Sequence, residues 1–218
     1  MVHDWFRNYL TNRQQFTCIA GIQSSVSCVS CGVPQGSVLG PLLFLIYIND
    51  IGNAVTNDTI KLFADDTNLF IFGNNIMNVQ NEAVHSITAL NNWFICNKLS
   101  LNLSKTCYMT FFATTASHCN LIVNGQTIEK VNSCKYLGII IDDELKWNLH
   151  IENIYKKLMK YTSIFYKLRD KLPVQMLREI YYAFIHSHVL YGVEIYANSK
   201  PTYLDKLMKL NTKLLRIL

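Results

Sequence analysis

No stretch of this sequence holds the roughly 20 consecutive apolar residues that a membrane-spanning helix needs. The longest apolar run, Val38 to Ile48, is interrupted by Gly40 and Pro41 and reads as a buried helix instead. Met1 is followed by polar and charged residues with no apolar segment of the secretory kind, so an intracellular location is expected and secretion is not. Neither an internal repeat nor a low-complexity linker occurs. Charge is scarce: 16% of the residues are charged against 50% hydrophobic, rich for a free-standing soluble domain. At 218 residues the chain can hold one or two domains and bury a sizeable core.

A disulfide framework is also missing. The seven cysteines (18, 28, 31, 96, 107, 119 and 134) are an odd number scattered through apolar segments, which suits free buried thiols in a reducing compartment. Cys28-Val29-Ser30-Cys31 has the spacing of half a zinc site, but structural zinc takes four ligands and no second pair follows at a workable distance. His186-Ser187-His188 is far away, in a segment that reads as helix. Zinc is not expected.

What is present is uneven. Residues 1–142 carry a net charge of −1, whereas residues 143–218 carry +6. Solvated helix faces explain such a basic half, and so does an enzyme that grips a polyanion. Inside the nearly neutral half, Asp65 and Asp66 interrupt the apolar stretch Lys61-Leu62-Phe63-Ala64-Asp65-Asp66-Thr67-Asn68-Leu69-Phe70-Ile71-Phe72. A strand–turn–strand with two carboxylates at its tip is costly, because neighbouring carboxylates repel. A divalent cation that prefers oxygen ligands, above all Mg²⁺, removes that cost and supplies a Lewis acid for phosphoryl chemistry. Taken alone, the pair also reads as a solvated hairpin turn.

Periodicity and turn residues give a coarse α+β order. A short helix is expected near Asp4–Leu10, then a turn at Thr11-Asn12-Arg13 and short strands at Phe16–Ile22 and Val26–Cys31. Gly32-Val33-Pro34-Gln35-Gly36-Ser37 forms a loop before the apolar helix, about Leu39–Ile51. The Asp-Asp hairpin precedes a helix near Met77–Lys98, where Val79, Ala83, Ile87, Leu90 and Phe94 recur at helical spacing. Strands follow at Lys105–Phe112 and Tyr136–Asp142, with a hairpin between them at Leu121–Ile128 centred on Asn124-Gly125. The rest is helical: Asn148–Leu172, Pro173–Tyr196 and Tyr203 to the end, with Pro173 fit to open its helix. The change of character near residue 145 is the best domain boundary.

Four ordered segments carry a family resemblance: the run from Gly32 to Ile51, the Phe63-Ala64-Asp65-Asp66 tetrad, Leu99 to Thr106, and Cys134 to Asp142. In this order and spacing the chain resembles the reverse transcriptase of non-LTR, LINE-type (jockey-like) retrotransposons over nearly its whole length. Trp5-Phe6, Tyr9-Leu10 and Arg13-Gln14 also look like the segment that family carries ahead of the Pro-Gln-Gly loop. The tetrad stands where many reverse transcriptases carry Tyr-Ala-Asp-Asp. A maturase or a viral RNA-directed RNA polymerase is less similar, since the viral enzymes usually carry Gly-Asp-Asp.

The resemblance implies a right-hand polymerase palm over 1–145, with a ferredoxin-like antiparallel sheet and helices. An all-helical thumb over 146–218 would follow, truncated at its C-terminus. It implies RNA-directed DNA synthesis from an RNA template, a DNA primer and deoxynucleoside triphosphates. Two Mg²⁺ ions, with Mn²⁺ as a substitute, would be held by Asp65 and Asp66, with Asp65 bridging. Phe63 and Ala64 would lie by the primer end, and Pro34, Gln35 and Gly36 under the template base and incoming nucleotide. Lys105 would donate a proton to the departing pyrophosphate, and Tyr136, Leu137 and Gly138 would form the primer grip. Lys156, Lys157, Lys160 and Lys167 would contact the phosphates of an RNA–DNA hybrid. For a retrotransposon product, nucleus and cytoplasm both fit.

The pattern fails at one point. The family's other catalytic aspartate belongs on a strand ahead of the Pro-Gln-Gly loop, which would precede residue 1, and Asp4 is no substitute in its helix-like segment. The expectation is a palm lacking its first catalytic strand and little or no polymerase activity from this chain alone. A catalytically dead remnant that only binds nucleic acid is the alternative.

Overall fold

The computed structural model describes residues 1–34, 36–55, 59–111, 121–123 and 125–218. Gln35, Phe112, Cys119 and Asn124 lie outside the described residues. The chain divides into two compact units, Met1–Leu101 and Asn102–Leu218. Both mix helices with short strands, so the α+β reading holds at that level. Among the described residues the strands pair two by two.

In the first unit, helix α1 (Val2–Leu10) is followed by left-handed Asn12 and strand β1 (Arg13–Gln15). β1 pairs antiparallel with β4 (Ser27–Val29), Gln14 facing Cys28. Between them, β2 (Cys18–Ile19) and β3 (Ile22–Gln23) form a small hairpin. The single strand expected over Phe16–Ile22 is therefore broken. Ala20 (φ +50°) and Gly21 (φ +83°) both take the left-handed conformation that a tight hairpin turn requires.

Helix α2 (Gly40–Tyr47) corrects a second expectation. It stops at Tyr47, a 3₁₀ turn follows at Ile51–Ala54, and Gly40 is the one buried residue within it. Leu42, Leu45 and Ile46 are exposed. The core of this unit is small and lies elsewhere: Ile51, Val55 and Leu90, with Ile60, Leu69, Trp93 and Phe94 packed against them. A helix that is apolar on every side presents more surface than so small a core can cover.

Strands β5 (Thr59–Phe63) and β6 (Asp66–Phe70) form the expected antiparallel hairpin, with Thr59 opposite Phe70 and Phe63 opposite Asp66. Helix α3 (Ile76–Cys96) begins where Asn75 Oδ1 accepts the Met77 N–H at 2.9 Å, a standard side-chain cap. Of its predicted apolar face, Ala83 and Leu90 are buried and Phe94 packs on the core.

The second unit opens with a tight turn in which the Asn102 carbonyl accepts the N–H groups of Lys105 and Thr106. That turn delays the strand expected over Lys105–Phe112, which among the described residues is reduced to β7 (Cys107–Tyr108). Strands β8 (Ile122–Val123) and β9 (Gln126–Thr127) pair antiparallel, with Gly125 at φ +76° in the turn, and β10 (Glu129–Lys130) pairs parallel with β7. Tyr136–Asp142, expected as one strand, is instead the turn and return arm of a hairpin. β11 (Ser133–Tyr136) and β12 (Ile139–Asp142) pair so that Tyr136 faces Ile139 across Leu137-Gly138.

Helix α4 (Asn148–Leu168) runs beside the last helix, α8 (Pro201–Leu215). The helix expected over Pro173–Tyr196 is interrupted twice. Pro173 is the N-cap of α5 (Val174–Tyr181), a π-helical turn follows at Tyr182–His186, and α6 (Ser187–Leu190) ends at Tyr191. Gly192 (φ +68°) then starts α7 (Val193–Tyr196). The core joins all of these: Leu158, Phe165, Ile185 and Leu214 are fully buried, together with Tyr181 and Tyr196. Tyr181 donates to Asn211 Oδ1 at 2.8 Å, which satisfies its buried hydroxyl.

The cysteines also differ from expectation. Cys18, Cys28, Cys31, Cys96 and Cys107 are free but exposed, and Cys134 is half-buried. The strands that carry them are two or three residues long in most cases, too short to bury both faces.

Candidate functional site

Asp65 and Asp66 occupy the tip and first β6 position of the β5–β6 hairpin, and both are exposed. The loop has two residues, Ala64 and Asp65, and Ala64 lies at φ +51°. A side chain with a Cβ rarely takes that conformation, and the cost is about 1–2 kcal/mol. Phe63, one residue earlier, is 60% exposed. The tip thus projects a phenyl ring, a methyl and two carboxylates into solvent from a five-pair ladder.

The donor set consists of carboxylate oxygens, which suit a hard divalent cation. Among the described residues no third His, Cys, Asp or Glu joins them. Mg²⁺ keeps several waters and is commonly held by one or two carboxylates plus substrate phosphates, so the exposed pair fits such an ion as a partial cage.

In the same unit, the loop before α2 is shaped by its own backbone. The Pro34 carbonyl accepts the Ser37 N–H at 3.2 Å, and Ser37 Oγ accepts the Gly40 N–H at 3.1 Å. A Cβ on Gly40 would lie 2.9 Å from that hydroxyl, so a larger residue there would have to turn the Ser37 side chain aside. Gly36 is left-handed with open space around it, and Arg13 Nη1 ties the loop to β1 by donating to the Gly32 carbonyl at 3.1 Å. Gln35, the expected template contact, lies outside the described residues.

The other expected site residues belong to the second unit. Lys105 is exposed and sits in the Asn102 turn rather than at a strand start. Tyr136, Leu137 and Gly138 are brought together at the β11–β12 turn, with Leu137 at φ +46° and Gly138 at φ +86°. Lys156, Lys157, Lys160 and Lys167 are all exposed on α4. Their spacing places Lys156, Lys160 and Lys167 along one face, with Lys157 about a quarter-turn away.

Other residues on this unit have structural roles that the sequence reading missed. Asp142 is buried, and its carboxylate accepts the N–H groups of Glu144 (3.2 Å), Lys146 (3.0 Å) and Trp147 (3.0 Å). That fixes the loop into α4, in which Leu145 and Trp147 are both left-handed. His150, also buried, accepts the Ile140 N–H on Nδ1 and stacks edge-on against Tyr196. Burial, reinforced by the Lys157 ammonium, pushes its pKa below the ordinary histidine value. Two further cations come from α8: Lys206 lies over the Tyr155 ring at 4.2 Å and also meets Glu152, and Lys213 lies over Tyr166 at 5.8 Å. Their i, i+7 spacing was the only sequence signal for them.

Comparison with known proteins gives these residues a context. Residues 1–141 match the family model described as reverse transcriptase (RNA-dependent DNA polymerase). The chain is 28% identical to the RNA-directed DNA polymerase from mobile element jockey of Drosophila melanogaster, covering 96% of this chain and 24% of that protein. It is 29% identical to the jockey polymerase of Drosophila funebris, covering 90% and 22%. Against the probable RNA-directed DNA polymerase from transposon X-element of Drosophila melanogaster it is 23% identical, covering 97% and 24%. The chain therefore spans about a quarter of the length of these curated relatives. No solved structure matches it.

Proposed function

The chain belongs to the reverse transcriptase family, and from that premise we propose that it is the palm–thumb portion of a non-LTR retrotransposon's RNA-directed DNA polymerase. One observation carries the reading: an exposed Asp-Asp pair at the tip of an antiparallel hairpin, inside the segment that the family model matches. The palm is assigned to residues 1–145 and the thumb to 146–218. The substrates would be an RNA template, a DNA primer and deoxynucleoside triphosphates.

Asp65 and Asp66 are the residues that would hold divalent metal. When bound, Mg²⁺ would supply charge neutralisation at the reacting phosphate and activation of the primer hydroxyl. The chain's own groups bind and orient. Phe63 and Ala64 lie beside Asp65 and would meet the primer end, where the small methyl of Ala64 leaves room for a sugar. Pro34, Gln35 and Gly36 would meet the template base and the incoming nucleotide. Lys105 would donate a proton to the pyrophosphate oxygen as it departs. The Tyr136-Leu137-Gly138 turn would hold the primer, and Lys156, Lys157, Lys160 and Lys167 would neutralise hybrid phosphates.

The 218 residues alone are proposed to bind hybrid without sustaining synthesis. Two-ion chemistry draws on more carboxylate ligands than one pair, and among the described residues no third acidic group joins Asp65 and Asp66. The same observation favours the second reading, a catalytically dead remnant that retains only nucleic-acid binding. Primer extension on an RNA template, with Mg²⁺ present and absent, tests this. Salt-sensitive hybrid binding with little or no extension is expected. Robust Mg²⁺-dependent extension that disappears in Asp65→Ala would overturn the inactive reading and confirm the metal assignment. No hybrid binding at low salt would remove the nucleic-acid reading altogether. Nuclear or cytoplasmic residence accords with such a product, and among the described residues no helix is long and apolar enough to cross a membrane.

A further inference from the structure

The Leu137-Gly138 turn does not stand alone. Two-residue hairpins with both positions left-handed suit the twist of the strands, but leucine is a poor residue for that conformation. Something must hold Leu137 at φ +46°. The Tyr191 hydroxyl donates to the Leu137 carbonyl, and the Tyr191 ring lies over Gly138, where an added Cβ would sit 3.1 Å from Cε1. Gly138 suits the turn by its φ of +86°, and an added side chain would also press the ring aside by a few tenths of an ångström.

The contact is reciprocal. Helix α6 ends at Tyr191 (φ −62°, ψ 113°), and Gly192 follows in the left-handed region. A Cβ on Gly192 would come within 2.6 Å of Ile139 Cδ1. Two left-handed glycines, one in the hairpin and one in the helix break, each accommodate a side chain from the other segment. The helix break at Tyr191-Gly192 is where the two segments meet.

We propose that Tyr191 is a positioning residue that sets the conformation of the Tyr136-Leu137-Gly138 turn, and through it the placement of a primer's terminal nucleotide. The second half rests on the reading of that turn as a primer-holding element. Tyr191 is 56% exposed, so its ring contributes little to the core, and one exposed neutral hydrogen bond is a small part of stability. What the bond and ring fix is a direction. The Leu137 carbonyl is held toward Tyr191.

The test uses the 218-residue chain, Tyr191→Phe, Gly138→Ala and Tyr136→Ala, with two readouts. The first is amide hydrogen exchange of Gly138 and Ile139 without nucleic acid. Loss of the hydroxyl is expected to speed it about fivefold, the worth of one neutral hydrogen bond, with the unfolding midpoint nearly unchanged. The second is the fluorescence of 2-aminopurine placed as the 3′-terminal base of a DNA primer on an RNA template. Tyr191→Phe is expected to move this signal toward that of free hybrid while overall affinity stays within about twofold, since phosphate contacts dominate affinity. Gly138→Ala, which displaces the ring but keeps the hydroxyl, is expected to act in the same direction on both.

Unchanged exchange in Tyr191→Phe and Gly138→Ala overturns the positioning role. If exchange rises and Tyr136→Ala shifts the fluorescence but Tyr191→Phe does not, the clasp is structural only and the inference fails. If exchange rises and none of the three variants moves the fluorescence of bound hybrid, or if no hybrid binds, it is the primer reading of the turn that fails.

Discussion

The Nδ1 atom of buried His150 accepts the Ile140 backbone N–H at 3.2 Å, joining helix α4 to strand β12 through a neutral imidazole. With Nδ1 accepting, the ring proton is on Nε2, which has no hydrogen-bond partner among the described residues. Protonating Nδ1 would break the bond to Ile140 and place a charge in a buried site beside the Lys157 ammonium.

The pH dependence follows from the sign. Burial lowers the folded-state pKa of His150, with Lys157 adding to the effect, so the unfolded chain binds the proton more readily. Stability is full above the ordinary histidine pKa of about 6.5 and is lost as pH falls through it toward the lower folded value. Urea midpoints measured from pH 8 to pH 5 are expected to decline below about 6.5. His150→Asn, whose side-chain oxygen can still accept the Ile140 N–H, is expected to flatten that decline. An equal decline in the variant would assign the effect to other groups.

Asp142 predicts a larger loss. Three backbone N–H groups converge on its carboxylate in a buried loop, and removing the acceptor leaves them without it. Hydrogen bonds to charged groups contribute about 1.5–3 kcal/mol each but are not additive, so Asp142→Ala is expected to cost ~3 kcal/mol. Asp142→Asn keeps one oxygen acceptor and should cost roughly half as much. Chemical denaturation of both variants checks the order.

Ala64 runs in the opposite direction. Its φ of +51° is strained for alanine and free for glycine, while glycine adds entropy to the unfolded chain. The balance favours Ala64→Gly by up to ~1 kcal/mol in stability. A stability decrease would show that the methyl packs usefully at the tip.

These residues mark how far the sequence could be read. The Asp65-Asp66 hairpin and α3 were legible because two carboxylates between apolar runs, and apolar residues at helical spacing, are local signals. The β11–β12 turn was not. Tyr136 to Asp142 is apolar enough to read as one strand, and only Gly138 hinted at the reversal that a tyrosine 53 residues later stabilises. The helix over Pro173–Tyr196 failed for a similar reason, because the left-handed Gly192 that breaks it packs against Ile139, a residue far away in sequence. Helix α2 failed differently: its composition states that it is apolar, not that neighbours exist to cover it. The Asp pair was legible as the tip of a hairpin, where both residues are exposed, but whether a third ligand joins it is a question of tertiary geometry.

The basic face of α4 gives the last prediction. Lys156, Lys160 and Lys167 recur at four and seven residues, so they point the same way from an exposed helix, while Lys157 lies a quarter-turn round, close enough to His150 to lower its pKa. If the first three neutralise phosphates of a bound hybrid, each releases condensed counterions, and the slope of log affinity against log salt changes by about 0.7–0.9 per contact. Replacing all three by Ala is expected to flatten that slope by about 2 to 3 units. Lys157→Ala should change it by at most one such contact, and also weaken the acid-induced loss of stability because it removes a charge that opposes His150 protonation. The salt titration separates a binding face from a solvated one: an unchanged slope in the triple variant would mean that α4 presents its lysines only to water. The pH titration of Lys157→Ala then stands independently, because its cause lies within the fold and not in the ligand.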